Sequence, residues 1–328
     1  MYSMIVDNKS QFDVFLNSVD SEWVDVILGE RGALFIQNTS EMFAVYQMQS
    51  SRSSDEVNRN FRVKKSLLKL LTVEGTLSIA VKEDTVDYTF ANESVSRSVT
   101  APKHQAYTFS FKDKLNILRT TKAQAFDASD LRRLVNISRS LHSFVEVCDG
   151  VAGVMSRGGI RIYKKVQIPS LSLSAKAAHA LFSCKSYWYC EQNYVMAVDG
   201  HFGIVVSQCR GSGQEDYNTL IQDDSKSAAI LTADFSDVLH VVSKATGAIM
   251  ELDVRKGICK LSDGDIIYAI NVPMHDVRVS EKFDKVVTLN TKVFTELMPK
   301  LGSVTDVVLK IKKHFCLLEV DDYIIVSK

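Results

Sequence analysis

The sequence predicts an α+β fold made of six copies of one βαβββ unit, joined in pairs into three domains. Three observations carry this expectation. The length, 328 residues, is two or three times the ~100–200 residues of an ordinary domain. Six amphipathic helical segments begin near residues 9, 64, 129, 174, 234 and 291, roughly 45–65 apart, at or just above the usual repeat range. Each is followed by two or three runs that alternate apolar and polar residues, the period of a half-buried strand.

In the first copy a helix from Asn8 to Val19 gathers Phe12, Phe15, Leu16 and Val19 into one apolar stripe. Strands follow from Trp23 to Leu28, Ala33 to Asn38 and Met42 to Gln49, the first two separated by the turn Gly29-Glu30-Arg31-Gly32. The second copy has a helix from Lys64 to Leu71 and strands from Thr76 to Lys82, Thr85 to Ala91 and near Ser94 to Thr100; residues 104 to 125 then bridge to the third. There, Asp127-Ala128-Ser129-Asp130 is helix-start chemistry, because short polar side chains accept hydrogen bonds from free N–H groups of a first turn. Its helix runs to about Leu141, with strands at Phe144 to Cys148, Gly153 to Ser156 and Ile160 to Val166 and turns at Asp149-Gly150 and Gly158-Gly159. The fourth copy has a helix from Ser174 to Cys184 and strands from Tyr187 to Glu191, Tyr194 to Val198 and Gly203 to Ser207; polar residues Cys209 to Lys226 form a second connector. The fifth opens at Ile230-Leu231, with a helix from Ala233 to Lys244 and strands Ile249 to Val254, Ile258 to Ser262 and Ile266 to Val272. The sixth has Lys285 to Leu289, a helix from Thr291 to Leu301, and strands Asp306 to Lys312, Phe315 to Val320 and Tyr323 to Ser327. Pairing the copies gives domains 1–110, 111–215 and 216–328.

Composition narrows the function. Lys+Arg 39 cancels Asp+Glu 39 and 46% of residues are hydrophobic, which excludes a disordered chain or a uniformly basic coat. A basic stripe must therefore be local, since a field depends on where charges sit. Only 4 Pro and 15 Gly leave no room for long flexible linkers. No apolar run approaches the ~18–20 residues of a membrane span, and Met1 to Lys9 has no leader pattern, so the expectation is a soluble, cytoplasmic protein with no membrane partner.

Cys148, Cys184, Cys190, Cys209, Cys259 and Cys316 form no CxxC pair or zinc spacing and read as reduced, mostly buried thiols. No Walker loop, dinucleotide fingerprint, HExxH or GxSxG occurs, and histidines such as His104, His142, His201 and His314 lie far apart. Neither catalysis, cofactor nor metal is expected. Asp263-Gly264-Asp265 reads as a hairpin turn because no ligand ladder follows it. Phe182, Tyr187, Trp188 and Tyr189 read as core packing rather than a base-stacking platform.

The repeat resembles the DNA sliding clamps, ring-shaped processivity factors whose domains each contain two such units. The run Asp130-Leu131-Arg132-Arg133-Leu134-Val135-Asn136-Ile137-Ser138-Arg139-Ser140-Leu141 resembles the helix opening the second domain of tailed-phage clamps. Ala197-Val198-Asp199-Gly200-His201 is similar to the threonine-aspartate-glycine-histidine-arginine run of bacterial β clamps, with Phe202 where that family has arginine and in the fourth copy rather than the third. The resemblance implies a DNA-clamp fold with helices inside a ring and sheets outside. Rings of the family hold twelve half-units, so six per chain imply a homodimer rather than a trimer. Implied partners are double-stranded DNA without sequence preference, a DNA polymerase and a clamp loader; the mixed features suggest a viral or otherwise divergent clamp, working in the host cytoplasm or nucleoid if viral.

A ring that slides needs dispersed cations facing phosphates and no fixed base contacts. Helix positions supply Arg132, Arg133, Asn136 and Arg139 on the third helix, Lys64, Lys65 and Lys69 on the second, and Lys176 and Lys185 on the fourth. Lys9, Lys244, Lys292 and Lys300 complete the set. The fifth helix opposes it with Asp234 and Asp237, which also suit a helix N-terminus. In the family, short peptides of polymerases and loaders enter an apolar pocket near the last strand; here that implies Tyr323, Ile324, Ile325 and Val326, with Phe202. Two rival readings stay open: a viral structural or interaction protein built from repeated βαβ units, and an open processivity factor that never closes a ring.

Overall fold

A computed structural model describes residues 2–6, 9–30, 32–49, 59–71, 75–106, 111–156, 159–209, 217, 221, 227–244, 249–281, 283 and 286–327. The first repeat is β1 (Tyr2–Val6), α1 (Lys9–Ser18), β2 (Trp23–Gly29), β3 (Gly32–Asn38) and β4 (Met42–Gln49). The second is β5 (Asn60–Lys64), α2 (Lys65–Leu71), β6 (Gly75–Val81), β7 (Thr85–Ala91) and β8 (Ser96–Pro102), and α3 (Phe111–Thr120) follows. The third is β9 (Ala125–Asp127), α4 (Arg132–Leu141), β10 (Phe144–Cys148), β11 (Val151–Met155) and β12 (Arg161–Lys165). The fourth is β13 (Leu171–Ser174), α5 (Ala175–Cys184), β14 (Tyr187–Cys190), β15 (Tyr194–Asp199) and β16 (Phe202–Ser207). The fifth is β17 (Ala229–Ala233), α6 (Ser236–Val242), β18 (Ile249–Asp253), β19 (Ile258–Asp263) and β20 (Ile266–Asn271), followed by β21 (Met274–Val279). The sixth is β22 (Val286–Leu289), a π-helical turn Val293–Leu297 running into α7 (Met298–Leu301), then β23 (Val307–Ile311), β24 (Cys316–Val320) and β25 (Tyr323–Ser327).

Neighbouring repeats exchange their leading strands. β1 pairs with β6 while β5 pairs with β2; β9 pairs with β14 while β13 pairs with β10; β17 pairs with β23 while β22 pairs with β18. Every pairing is antiparallel, and each leading strand pairs with the first strand after the helix of the partner repeat rather than of its own.

The chain forms two compact units that cut across this repeat order. One holds residues 1–129 and 176–208, with the sheets β1-β6-β7-β8 and β5-β2-β3-β4-β16-β15-β14-β9. Its core is aromatic: α1 sends Phe12 to Phe35 and Tyr46 at 5.4 and 5.1 Å and Phe15 to Phe202 at 6.0 Å, all fully buried. Burial of each such ring stabilises by about 1.5–3 kcal/mol. The other unit holds residues 130–175 and 209–328, with β13-β10-β11-β12-β25-β24-β23-β17-β21 and β20-β19-β18-β22. There α4 buries Leu134, Val135 and Ile137, and Phe235 meets Phe294 at 5.0 Å.

Several expectations change. The bridge of residues 104 to 125 contains α3, because Leu115, Ile117 and Leu118 find an apolar sheet face to cover. The fifth helix starts later than expected, since the Asp234 carboxylate accepts from the backbone N–H and the hydroxyl of Ser236 and holds the preceding residues in a turn. Strand β21 was not expected. The connector Cys209 to Lys226 lies outside the described residues apart from Cys209, Tyr217 and Ile221, as do Asn8, Arg31, Gly158 and Lys285.

Candidate functional site

In the first unit the expected cations sit on α1, α2 and α5, at the strand end before α2 and, for Lys185, just past the end of α5. Several are already engaged. Lys9 meets Asp13 at 2.9 Å one turn along α1, and Lys64 meets Glu22 at 3.7 Å beside the Trp23 ring. Lys65 donates to the Val19 carbonyl at 2.8 Å; burial and the Lys69 charge hold its pKa below the ordinary lysine value. Lys69 donates to Asn17 Oδ1, tying α2 to α1. Lys176 donates to Asp20 at 3.0 Å, and that hydrogen bond holds the Asp20 carboxyl below its ordinary value. Lys185, exposed, lies 5.9 Å from the Tyr187 ring. A polar groove between α1 and α5 is lined by Lys9, Asp13, Asn17 and Ser183.

In the second unit Arg132, Arg133, Asn136 and Arg139 are exposed along α4. Arg133 donates to the Leu301 carbonyl at 2.6 Å, a cation on the negative end of α7, and Lys300 donates back to Ser140 Oγ at 3.0 Å. These two bonds set α4 beside α7. Lys292 is exposed, and Lys244 stands 3.0 Å from His240.

The residues expected to form a peptide pocket fall in different units. Phe202 belongs to the first unit, 1% exposed beneath α1, and β25 to the second. The turn after β15 is structural: Gln11 Nε2 donates to the Asp199 carbonyl and Gln47 N–H to that of His201. On β25 the alternation divides the four: Ile324 and Val326 share one face with Tyr163 and Leu317, whereas Tyr323 and Ile325 point to the other. Tyr217 covers that first face, its ring 5.2 Å from Tyr163.

The first unit carries an equivalent surface. Val205 stands opposite Phe43 and Met196, Gly203 opposite Val45; in the second unit Val326 stands opposite Arg161 and Leu317, Ile324 opposite Tyr163. The two registers superpose position for position. In the first unit α3 covers this face with Leu115, Ile117 and Leu118.

The sequence matches no family model and no curated protein. Solved structures do match. The DNA polymerase III subunit beta of Pseudomonas aeruginosa superposes with TM-score 0.73 over 100% of this chain and 99% of that one, at 13% identity. A putative DNA polymerase III beta subunit of Eubacterium rectale gives 0.72 over 100% and 98% at 11% identity. The Helicobacter pylori beta clamp, solved bound to a DNA ligase peptide, gives 0.69 over 100% and 99% at 11% identity. The chain has the sliding-clamp fold.

Within the clamp fold, the expected α+β class and the resemblance to bacterial sliding clamps are borne out across the whole chain. Of the aromatic run Trp188 is core, fully buried 4.7 Å from Phe182 and 6.3 Å from Phe126, whereas Tyr187 is exposed and Phe182 and Tyr189 are partly buried. Asp263-Gly264-Asp265 is the β19–β20 turn, with Gly264 at φ 60°. All six cysteines are free thiols; Cys184, Cys259 and Cys316 are buried and Cys148 is exposed. Among the described residues no group of three metal-binding side chains occurs, and no helix is long and apolar enough to cross a membrane. Sequence reading missed α3 and the roles of Tyr163 and Tyr217; the i, i+3 pair Leu115 and Leu118 was the one available signal for the helix.

Proposed function

We propose that this chain is a DNA sliding clamp, a non-catalytic scaffold that encircles duplex DNA and tethers a replicative polymerase. The match in fold over nearly the full length of both chains carries the reading. Domains of residues 1–110, 111–215 and 216–328 are supported by the reciprocal strand exchange within each pair of repeats. Lys65, Lys69, Lys176, Arg132, Arg139, Lys244, Lys292 and Lys300 meet phosphates, each contact contributing about 0.9 to the slope of log affinity against log salt. No cofactor is needed, and the protein acts where its DNA lies, in the cytoplasm.

Two copies close the ring. The outer strands β8 and β20 of the two four-stranded sheets have an unpaired edge among the described residues, and β20 exposes Ile266, Ile267 and Tyr268 at 56%, 67% and 40%. Pairing β8 of one copy with β20 of the other, twice about a two-fold axis, covers both edges. A short apolar peptide of a polymerase or loader takes the face formed by Tyr163, Leu317, Ile324 and Val326 by displacing Tyr217, which covers it in the free chain. A DNA ligase peptide on the Helicobacter pylori beta clamp is the precedent for peptide binding in this fold.

The test is topological. Chains dissociated by dilution are reconcentrated with circular duplex DNA and then challenged with high salt. A clamp stays on the circle and leaves when one cut linearises it; equal loss from circle and linear DNA overturns the ring. The mismatch between the polar β8 edge, Ser96–Pro102, and apolar β20 favours one rival, an open holder of DNA, which would stay monomeric and bind both forms alike.

A further inference from the structure

The second unit contains a cavity that the proposed clamp function does not use. It lies between the end of β22 with the π-helical turn Val293–Leu297 and the hairpin of β23 and β24, and measures about 180 Å³. Its floor is apolar: Phe294, Ile311 and Leu318 are at most 3% exposed. Its rim is the hairpin turn, where Lys312, Lys313 and His314 follow one another.

This cavity is separate from the peptide face described above. Ile311 stands opposite Cys316 and, two residues on, Leu309 opposite Leu318, so the wall side chains lie on the opposite side of the sheet from Leu317 and Val326. Phe315, at the turn, borders both.

Size and charge together define what fits. An apolar cavity of about 150 Å³ suffices to hold a benzene ring. The space here therefore accepts one phenyl ring, or a branched aliphatic side chain of similar bulk. Around the mouth the charge is positive: Lys313 and His314 are exposed and neither forms an ion pair among the described residues. Asn290 and Thr288 add polar groups beside them. A π-helical turn in the wall is a departure from α geometry that recurs at functional sites.

We propose that this cavity is a second docking site, which takes an aromatic residue flanked by aspartate or glutamate from a peptide segment of a partner protein. The ring fills the apolar floor while the flanking carboxylates meet the Lys312-Lys313-His314 turn, the charge-assisted pairing that a surface lysine alone would make only weakly. A free acidic peptide without the ring lacks the anchor, and a basic aromatic peptide is repelled at the mouth.

The experiment uses the full chain without DNA, so its outcome does not depend on whether the ring encircles a duplex. Fluorescently labelled Glu-Asp-Phe-Asp is titrated and followed by anisotropy, beside Glu-Asp-Ala-Asp and Lys-Lys-Phe-Lys. Binding of the first at least tenfold tighter than either control is expected. The double substitution Lys313→Glu with His314→Glu, at two exposed side chains of the turn, should reverse the preference toward Lys-Lys-Phe-Lys. Cys316→Phe, which fills the space, should remove the advantage of Phe over Ala. Absence of binding by Glu-Asp-Phe-Asp at millimolar concentration, equal binding of the alanine peptide, or indifference to the charge reversal overturns the proposal.

Discussion

Leu118 of α3 closes over Gly203 of β16, so that a Cβ on Gly203 would stand 3.2 Å from both Leu118 methyl carbons and 3.5 Å from Val45. In the second unit the equivalent register position holds Ile324, which packs against the cluster of Tyr163, Tyr217, Leu317 and Val326. Gly203→Ala should be nearly neutral, since Leu118 is half-exposed and can rotate. Gly203→Val should cost about 1–3 kcal/mol of stability, the usual cost of overpacking, and lower the urea midpoint accordingly. Adding Leu118→Ala to the valine variant should recover part of that loss; additive losses in the double variant would show that Leu118 and Gly203 do not share this space.

Asp20 is the acid most directly placed among the cations of the first unit, bonded to Lys176 and near enough to Lys65 to act on it. A carboxylate there neutralises charge that phosphates would otherwise meet. Asp20→Asn should therefore tighten duplex binding at low salt by a few-fold and steepen the slope of log affinity against log salt by up to about 0.9. Weaker binding, or an unchanged slope, would remove Lys176 from the DNA-facing set.

Much of this molecule was legible locally. The helices α1, α2, α4 and α5 begin within two or three residues of where their apolar stripes place them, because one buried face per helix imposes a 3.6-residue period. Alternation likewise located most strands, as in Val86, Tyr88 and Phe90 of β7. What local pattern could not supply is the pairing of β4 with β16 and of β12 with β25, contacts between residues more than 150 apart. No short-range signal encodes them. Phe202 illustrates the result: its apolar character was read correctly, but its burial against Phe15 follows from that long-range pairing. The cationic residues were equally visible as residues, whereas Lys176 on Asp20 and Arg133 on Leu301 required the folded chain.

The pH range of stability follows from two sets of groups. Hydrogen bonds from Lys176, from Lys82 and Thr100, and from Ser236 hold the carboxyls of Asp20, Asp87 and Asp234 below their ordinary value of 3.8. Groups depressed in the folded state stabilise above the unfolded pKa and cease to do so as pH falls through the folded one. Melting temperature should therefore decline as pH drops below about 4. On the alkaline side, burial pushes the Cys184 and Cys259 thiols up to about 12 from an ordinary 9.0. Thiols raised in the folded state stabilise fully below 9.0 and lose that contribution between 9.0 and about 12, so melting temperature should fall again there. Cys184→Ala with Cys259→Ala should flatten the alkaline fall; an identical profile would assign it to other groups.

Thiol chemistry reads the same burial more directly. Cys148 is exposed, whereas Cys184, Cys259 and Cys316 are buried, the last with its pKa raised to about 11. Only a thiolate attacks iodoacetamide. At pH 8 the native protein should be labelled at Cys148 well before those three, which should react only after denaturant unfolds the chain. Cys148 itself should react slowly and faster as pH rises, because partial burial and the neighbouring Asp149 carboxylate lift its pKa. Peptide mapping of the alkylated sites by mass decides the order; early labelling of Cys259 would mean that the sheet β20-β19-β18-β22 opens readily.

The exposed edge at β20 offers the sharpest test of assembly. Three consecutive apolar side chains, Ile266, Ile267 and Tyr268, lie open to water on a strand whose outer hydrogen-bonding groups have no partner strand among the described residues. A monomer would normally blunt such an edge with lysine or proline, since it invites association. Here the charges stand just outside it, at Asp263 and Asp265, while Arg97 and Lys103 stand on and beside β8. Acid beside one edge and base beside the other favour pairing of β20 with β8 over pairing of β20 with itself. Ile267→Lys places a cation in the middle of the apolar edge and should raise the dissociation constant of the proposed dimer at least tenfold without lowering the urea midpoint of the monomer, because Ile267 is 67% exposed. Analytical ultracentrifugation across a concentration series measures the first and urea unfolding the second. If Ile267→Lys leaves the mass distribution unchanged, β20 is not the joining strand and the proposed closure through β8 and β20 fails.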